Sequence, residues 1–421
     1  MANTYLSRTT GTPTNAKKFT ISGWFKIQSN DTSDHQFYQH YTDGNNREHM
    51  YFSSGNKLRF YCVDSGSTAV YLDTKRQFRD VNAWYHIVIA ADTTQSTASN
   101  RVKIYVNGVQ ETEFDTATYP AQDFNFKINS NSKSIVIGRY MGSDDYYYDG
   151  LISHFHFIDG TQYAASTFGS TDSTTGEWKI NTAPSVTYGN NGWFIFKDNA
   201  SVTDQSGEGN NWTVTAGSVT PTQDNPSNIF CTLNPLATGN SKPTFSKGAN
   251  RVVGTATSYQ FSCGTIAVPL TGKWYWEVKA NNNVNGSNSE YLIGAVLESR
   301  LEASGNFAEF AADGITQYGS VGTGIAQNDI IGVSVDRTAA TLKIYKNNSL
   351  ILTKSSLPAE LLYPLVTVYG SGIGADANFG NGYFGGSAVS SAGTNASNNG
   401  IFEYDVIPSD ANALSTKGLN L

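Results

Sequence analysis

Arg101-Val102-Lys103-Ile104-Tyr105-Val106-Asn107-Gly108-Val109 is the stretch on which the fold is read. Val102, Ile104 and Val106 share one face of an extended chain, because strand side chains alternate with period two. Asn107-Gly108 supplies the two positive-φ residues of a type I′ turn, so the stretch reads as a β-hairpin. Upstream, residues 83–90 (Ala-Trp-Tyr-His-Ile-Val-Ile-Ala) are almost continuously apolar, which suits a strand covered on both faces. Residues 19–27, 58–63, 135–138 and 151–158 are further aromatic and β-branched runs, and no convincing helix exceeds a turn or two. Strands at this spacing predict a sandwich.

The chain echoes itself. Residues 87–107 run strand, Asp-Thr-Thr, loop, then Val-Lys-Ile-Tyr-Val-Asn; residues 331–347 run strand, Asp-Arg-Thr, shorter loop, then Leu-Lys-Ile-Tyr-Lys-Asn. The echo predicts two sandwiches with related central hairpins. In the second, Lys273-Trp274-Tyr275-Trp276-Glu277-Val278-Lys279 places Trp274, Trp276 and Val278 on one face. Between the two, Thr, Ser, Asn, Gly and Pro accumulate, but Trp178, Trp193 and Trp212 need burial, so the connector is structured. The expected division is a sandwich over 1–168, a connector over 169–228, a second sandwich over 229–385 and a tail over 386–421. In that tail residues 386–400 read as mobile and 401–404 as a late strand.

Composition agrees with an all-β chain and excludes several roles. Of 421 residues only 15% are charged while 13% are aromatic, which is neither disordered nor helix-forming text. Asp plus Glu outnumber Lys plus Arg by 35 to 28, so the basic footprint of a nucleic-acid binder is missing. No apolar run approaches the roughly 18 residues of a membrane span. The opening Met1-Ala2-Asn3-Thr4-Tyr5 lacks the apolar segment of a Sec signal, so the expectation is folding in a cytoplasm. Cys62, Cys231 and Cys263 make an odd count without a disulfide framework, and Cys62 and Cys263 read as buried thiols.

Residues 19–165 resemble a concanavalin A-like or laminin-G-type sandwich. The resemblance lies in Ser22-Gly23-Trp24-Phe25, Trp84-Tyr85-His86-Ile87-Val88, Tyr105-Val106-Asn107-Gly108 and Tyr148-Asp149-Gly150-Leu151-Ile152. Residues 272–384 resemble a SPRY domain, itself a concanavalin-like sandwich, through Gly272-Lys273-Trp274-Tyr275-Trp276-Glu277-Val278, Asp329-Ile330-Ile331-Gly332-Val333 and Tyr363-Pro364-Leu365-Val366. Linker text such as Asp204-Gln205-Ser206-Gly207-Glu208-Gly209-Asn210-Asn211-Trp212 is similar to structural proteins of marine tailed bacteriophages. The resemblance therefore implies an all-β chain of two concanavalin-like antiparallel β-sandwiches of jelly-roll type. It also implies a place on a virion, as tail fibre or head appendage, made in the host cytoplasm.

Four groups of residues could carry chemistry. Glu111-Thr112-Glu113-Phe114-Asp115 is the one alternating acidic triplet, the pattern of a glycosidase strand, and otherwise reads as a solvated edge. His154 and His156, with face-mates Ile152 and Ile158, lack further metal ligands nearby and read as a partly packed surface. The segment from Met141 to Gly150 concentrates Asp144, Asp145 and Asp149 with Tyr146 and Tyr147, a set suited to sugar recognition, or to calcium through the aspartates. These aspartates match no lectin motif residue by residue, and Tyr148 is expected to pack inward. In the second sandwich the loops 281–289 and 298–312 are candidate contact loops, since Asn, Ser and Gly make adaptable polar contacts.

The resulting expectation is a non-enzymatic virion protein with no catalytic residue, no metal site and no cofactor. Its ligand-binding residues are Asp144, Asp145, Tyr146, Tyr147 and Asp149. Its partners are other virion proteins, a host-surface glycan or protein, and further copies of itself. A purely architectural docking subunit and a polysaccharide depolymerase acting near Glu111 are the alternatives.

Overall fold

The structure is a computed structural model that describes residues 4–27, 33–81, 83–143, 145–197, 200–236, 241–282, 290–301, 325–391, 393–394, 399–405 and 409–419. The chain divides into two compact units, Met1–Pro221 and Thr222–Leu421. The strands of the first are β1 (Tyr5–Thr9), β2 (Lys18–Ile27), β3 (His35–Asp43), β4 (Asn46–Phe52), β5 (Lys57–Asp64), β6 (Ser67–Gln77), β7 (Tyr85–Asp92), β8 (Val102–Val106), β9 (Val109–Gln110), β10 (Phe114–Thr118), β11 (Ser134–Ile137), β12 (Gly150–Asp159), β13 (Gly169–Thr171), β14 (Trp178–Ile180), β15 (Trp193–Ile195) and β16 (Thr213–Ala216). An eight-stranded sheet, β10-β6-β5-β4-β3-β11-β1-β16, faces a six-stranded one, β15-β12-β2-β7-β8-β9. Between them lies an apolar core that includes Phe19, Phe25, Ile87, Ile89, Ile104, Phe155 and Phe157 from one sheet and Phe37, Met50, Phe52, Phe60 and Leu72 from the other.

The six-stranded sheet is buried on its outer side as well. Val88, Ala90 and Ile158 point away from the core and are covered by Ala165, Phe168, Tyr163, Trp178, Val186 and Tyr188. His86 lies in the middle of this second layer. Its ring stacks on Trp24 at 4.9 Å and on Trp178 at 5.9 Å. Trp178 Nε1 donates to His86 Nδ1 at 3.0 Å, so the neutral ring carries its proton on Nε2, which donates to Ser22 Oγ at 2.9 Å. Most of the predicted connector, residues 169–221, thus completes the first unit, and only residues 222–228 belong to the second. Trp193 on β15 and Trp212 meet edge-to-face at 5.1 Å inside the main core, and β16 closes the eight-stranded sheet against β1.

The quoted hairpin forms as the sequence predicts. Asn107 has φ +47° and Gly108 φ +82°, and a Cβ on Gly108 would stand 2.4 Å from the Trp178 ring, so glycine is required there twice over. Asn107 also clamps its neighbour strand: its N–H donates to the His86 carbonyl at 2.9 Å and its Oδ1 accepts from the His86 N–H at 2.8 Å.

The second unit contains β17 (Thr244–Ser246), β18 (Arg251–Val253), β19 (Tyr259–Cys263), β20 (Lys273–Ala280), β21 (Glu290–Leu297), β22 (Ile330–Asp336), β23 (Thr341–Lys346), β24 (Ser349–Ser355), β25 (Leu362–Tyr369) and β26 (Gly374–Asn378). One sheet runs β17-β18-β26-β20-β22-β23-β24, with the short segment Asn412–Ala413 parallel to β20; the other is β19-β25-β21. The echo holds at atomic detail. Asn347 sits at φ +47° between β23 and β24, and its N–H and Oδ1 bind the Ile330 carbonyl and N–H at 2.8 and 2.9 Å. Trp274, Trp276 and Val278 all face the core, Trp276 being wholly buried.

The larger sheet here also has a covered outer side. Tyr275 packs with Phe230, Phe402, Ala411 and Ala413. Beside it the fully buried Glu277 carboxylate accepts from the N–H groups of Glu403 and Tyr404 at 2.8 and 3.0 Å. The late strand is Ile401–Phe402, paired with Gly393–Thr394.

These arrangements generate two predictions. Expressed alone, residues 1–221 should unfold cooperatively in urea, whereas residues 1–168 should bind a hydrophobic dye and lack a sharp transition, because Val88, Ala90 and Ile158 lose Trp178, Val186 and Tyr188 and the main core loses Trp193 and Trp212. Trp276→Ala should lower the unfolding free energy by about 3–5 kcal/mol, measured by denaturant titration, since nothing near a wholly buried indole can fill the void.

Candidate functional site

The outer face of the eight-stranded sheet is made by the residues that alternate with its core positions. On β4, Met50 and Phe52 point inward, leaving Arg47, His49 and Tyr51 outward; on β5, Phe60 and Cys62 point inward, leaving Arg59 and Tyr61 outward. Strand register assembles them into rows: His49 opposes Tyr61, which opposes Tyr71 on β6, and Tyr51 opposes Arg59, which opposes Asp73. The loop after β11 adds Tyr140, and β3 adds Tyr41, opposite Arg47.

The side chains form one connected layer. His49 lies 5.5 Å from each of Tyr51, Tyr61 and Tyr140, nearly parallel to Tyr51 and Tyr140. Tyr61 meets Tyr71 at 5.2 Å, and Tyr140 meets Tyr41 at 5.7 Å and Tyr146 at 6.1 Å. Arg59 stands over Tyr51 and Tyr71, and Arg47 over Tyr61 at 5.5 Å. Arg59 is also paired with Asp73, Nε to Oδ1 at 3.0 Å and Nη2 to Oδ2 at 3.3 Å, and donates to the Tyr51 hydroxyl at 3.0 Å. His49 is only 6% exposed, and both ring nitrogens lack a hydrogen-bond partner. Among the described residues the hydroxyls of Tyr41, Tyr61, Tyr71, Tyr140 and Tyr146 also make no hydrogen bond to protein. A sheet face of half-buried rings with uncommitted hydroxyls can stack against a flat apolar patch and hydrogen-bond a polyhydroxylated one at the same time.

Of the residues nominated from sequence, Tyr146 reaches this layer. It is 45% exposed at φ +51°, and its carbonyl accepts from the Gln36 N–H at 3.2 Å. Asp145 is exposed, bridged through its backbone to Tyr140, and accepts from Ser143 Oγ at 2.6 Å. Tyr147 and Asp149 are half-buried, and Asp144 lies outside the described residues. Tyr148 does pack inward, edge-on to Phe25, with its hydroxyl donating to the carbonyls of Lys26 and Leu151 at 3.2 and 3.3 Å. Among the described residues no three His, Cys, Asp or Glu side chains gather as a metal site would require.

The other candidates change meaning. The acidic triplet is a solvated edge in two of its three members: on and beside the edge strand β10, Glu113 and Asp115 are exposed next to Lys75 (3.1 Å) and Lys57, whereas Glu111 is buried and paired with Arg76 at 2.5 Å. Each carboxylate has its own cation rather than a shared reacting bond. The two histidines do not alternate simply, because His154 takes φ +47° as a bulge between the pairs Ser153–Trp24 and His156–Ser22. The bulge turns Phe155 and Phe157 into the core, where Ile152 also packs, and leaves His156 outward with Ile158. There His156 is buried rather than on a partly packed surface, stacked on Phe194 at 3.8 Å and hydrogen-bonded to the Tyr188 hydroxyl at 2.9 Å. Loops 283–289 and 302–312 lie outside the described residues. Cys62, Cys231 and Cys263 are all buried thiols.

Residues 2–164 match the family Laminin_G_3, described as the concanavalin A-like lectin/glucanases superfamily. Solved structures similar to this chain include a native heptameric SAP-like pentraxin from Limulus polyphemus, 13% identical over 52% of this chain and 91% of that one, with a TM-score of 0.31. The SPRY domain of human HERC1 is 15% identical over 34% of this chain and 96% of that one, at 0.25. The TRIM65 PSpry domain is 14% identical over 35% and 89%, at 0.27. No curated protein matches the chain. The family match, over residues 2–164, agrees with the two-sheet sandwich found in the first unit.

Burial makes the two units respond oppositely to acid. All six histidines lie in the first unit. Burial holds His86 near pH 3, and burial together with Arg47 and Arg59 does the same to His49; His40 and His156 are also depressed by burial. The unfolded chain therefore takes up protons that these folded rings refuse, and their stabilising effect, complete above about pH 6.5, is lost as pH falls. Burial pushes Glu48 and Glu277 up to about 7, against the N–H groups each accepts from. Their contribution is complete below about pH 4.5 and is lost as pH rises toward 7. Between pH 6.5 and 4.5, hydrogen exchange should show β7 losing protection and β22 gaining it. Glu48→Gln should steepen the loss in β7.

Proposed function

We propose that the protein is a non-catalytic glycan-binding protein whose first unit holds the sugar on the outer face of its eight-stranded sheet. The observation that carries this reading is the connected layer of Tyr41, His49, Tyr61, Tyr71, Tyr140 and Tyr146, with five hydroxyls uncommitted to protein. Sugar rings present one apolar face and a rim of hydroxyls, and rigid tyrosines meet both demands at low entropic cost. The lectin-type fold of the matched family supports the same reading. The loop from Met141 to Gly150 then forms the margin of the site through Tyr146, not its centre. Depolymerisation would need two carboxylates flanking one bond, whereas Glu111, Glu113 and Asp115 are each held by a separate cation.

The setting we infer is a phage virion, as tail fibre or head appendage assembled in the host cytoplasm among other virion proteins. This rests on the linker text around Asp204–Trp212. Multiple copies on a particle would give a shallow site useful avidity through effective concentration.

Screening the purified protein on a glycan microarray in a multivalent format tests the reading. Tyr61→Ala and Tyr71→Ala should each weaken binding about tenfold, or ~1.4 kcal/mol, while circular dichroism melts stay unchanged. Binding that survives both substitutions but disappears with Tyr147→Ala would move the site onto the loop. An array with no hits would favour a docking role.

A further inference from the structure

Arg47 and Arg59 present their guanidinium groups on the same sheet face, but their charges are handled differently. Arg59 is held by both carboxylate oxygens of Asp73 and by the Tyr51 hydroxyl, so its charge is compensated and its fork is occupied. Arg47 donates Nη1 to the Gly44 carbonyl and lies over the Tyr61 ring, and among the described residues it meets no carboxylate. It is a half-buried cation whose remaining donors are open, two residues along β4 from His49.

We propose that the sugar bound on this face is acidic and that Arg47 recognises its anionic substituent, a carboxylate or a sulfate ester. This rests on the glycan reading of the preceding section. A guanidinium meets such a group through two parallel N–H···O bonds, which gives geometry as well as charge. His49 supplies the second observation. It is over nine-tenths buried, its faces are occupied by Tyr51 and Tyr140, and both nitrogens are without partners. A buried polar ring in that state is stabilised when a shift of the covering tyrosines lets a ligand hydroxyl reach it. Burial keeps His49 neutral, so even when reached it supplies one donor and one acceptor and no charge, and charge recognition falls to Arg47. The protein's net charge of −7 gives no long-range attraction for an acidic glycan, so the preference has to come from this local contact.

The test uses the full chain and two matched probe pairs: a uronate oligosaccharide with its carboxyl-reduced counterpart, and a sulfated galactan oligosaccharide with its desulfated counterpart. Calorimetric titration should show the acidic member of one pair bound at least about tenfold more tightly than its neutral partner, and which pair shows it identifies the anion. Arg47→Gln should bring that ratio close to one, the ratio being read within the variant so that any change in its overall affinity cancels. Arg47→Lys, which keeps the charge but not the fork, should fall between. Equal affinity for both members, a preference that persists in Arg47→Gln, or binding to none of the four would overturn the inference. Binding to neutral glycans with no acid preference leaves the glycan reading standing; absence of binding to every sugar tested removes both.

Discussion

One sheet of each unit is buried on both of its sides, and that requirement governs everything outside the two sandwich cores. A sheet that presents Val88, Ala90 and Ile158 away from its core must be covered again. In the first unit the chain from Tyr163 to Tyr188 does this. In the second, the segment around Phe402 and Ala413 covers Tyr275. Both covers are fixed by a buried polar group on the sheet: neutral His86 receives the Trp178 indole, and Glu277 receives two backbone N–H groups. Apolar contact supplies area without direction, whereas these hydrogen bonds determine which part of the cover lies where, since leaving either group unpaired in the interior would be costly.

Much of this was legible wherever the controlling interaction is local in sequence. The Asn107-Gly108 turn, the alternation of Trp274, Trp276 and Val278, and the two-faced burial of β7 follow from period and turn chemistry within ten residues. The repeated hairpin also proved exact in role, since Asn107 and Asn347 use the same pair of hydrogen bonds on the strand beside them. What escaped was long-range. A connector rich in Ser, Thr and Gly gives no sign that Trp178 belongs over His86, 92 positions away, or that Trp193 and Trp212 share one core. The bulge at His154 was hidden as well, because histidine is an ordinary strand residue and only the need to seat Phe155 and Phe157 inward forces it into the left-handed region.

The same distinction applies to the candidate site. The loop holding Asp145, Tyr146 and Tyr147 stands out because its polar groups are neighbours in sequence. The Tyr, His and Arg layer is spread over β3 to β6 and a loop, and its members meet only through register. A signal was nevertheless present: in Arg47-Glu48-His49-Met50-Tyr51 and Arg59-Phe60-Tyr61, the positions opposite the core carry arginine, histidine and tyrosine, where a merely solvated face would carry serine, threonine or lysine. Buried Glu48 interrupts that pattern. It points inward with Met50 and accepts the N–H groups of Lys127 and Ile128, so a charged letter at a core position marks a bond to a distant turn.

The clamp on Asn107 has a chemical consequence. An asparagine followed by glycine is the dipeptide most prone to deamidate, because the unhindered glycine nitrogen can attack the side-chain carbonyl and close a succinimide. Here that carbonyl is engaged by the His86 N–H, and the backbone on both sides is fixed in the turn beneath the Trp178 ring. Ring closure must therefore wait for the hairpin to open locally. The residue pair that gives the turn its shape is also shielded by that shape, and the covalent ageing of the chain at this point is governed by the stability of the layer that His86 and Trp178 hold in place.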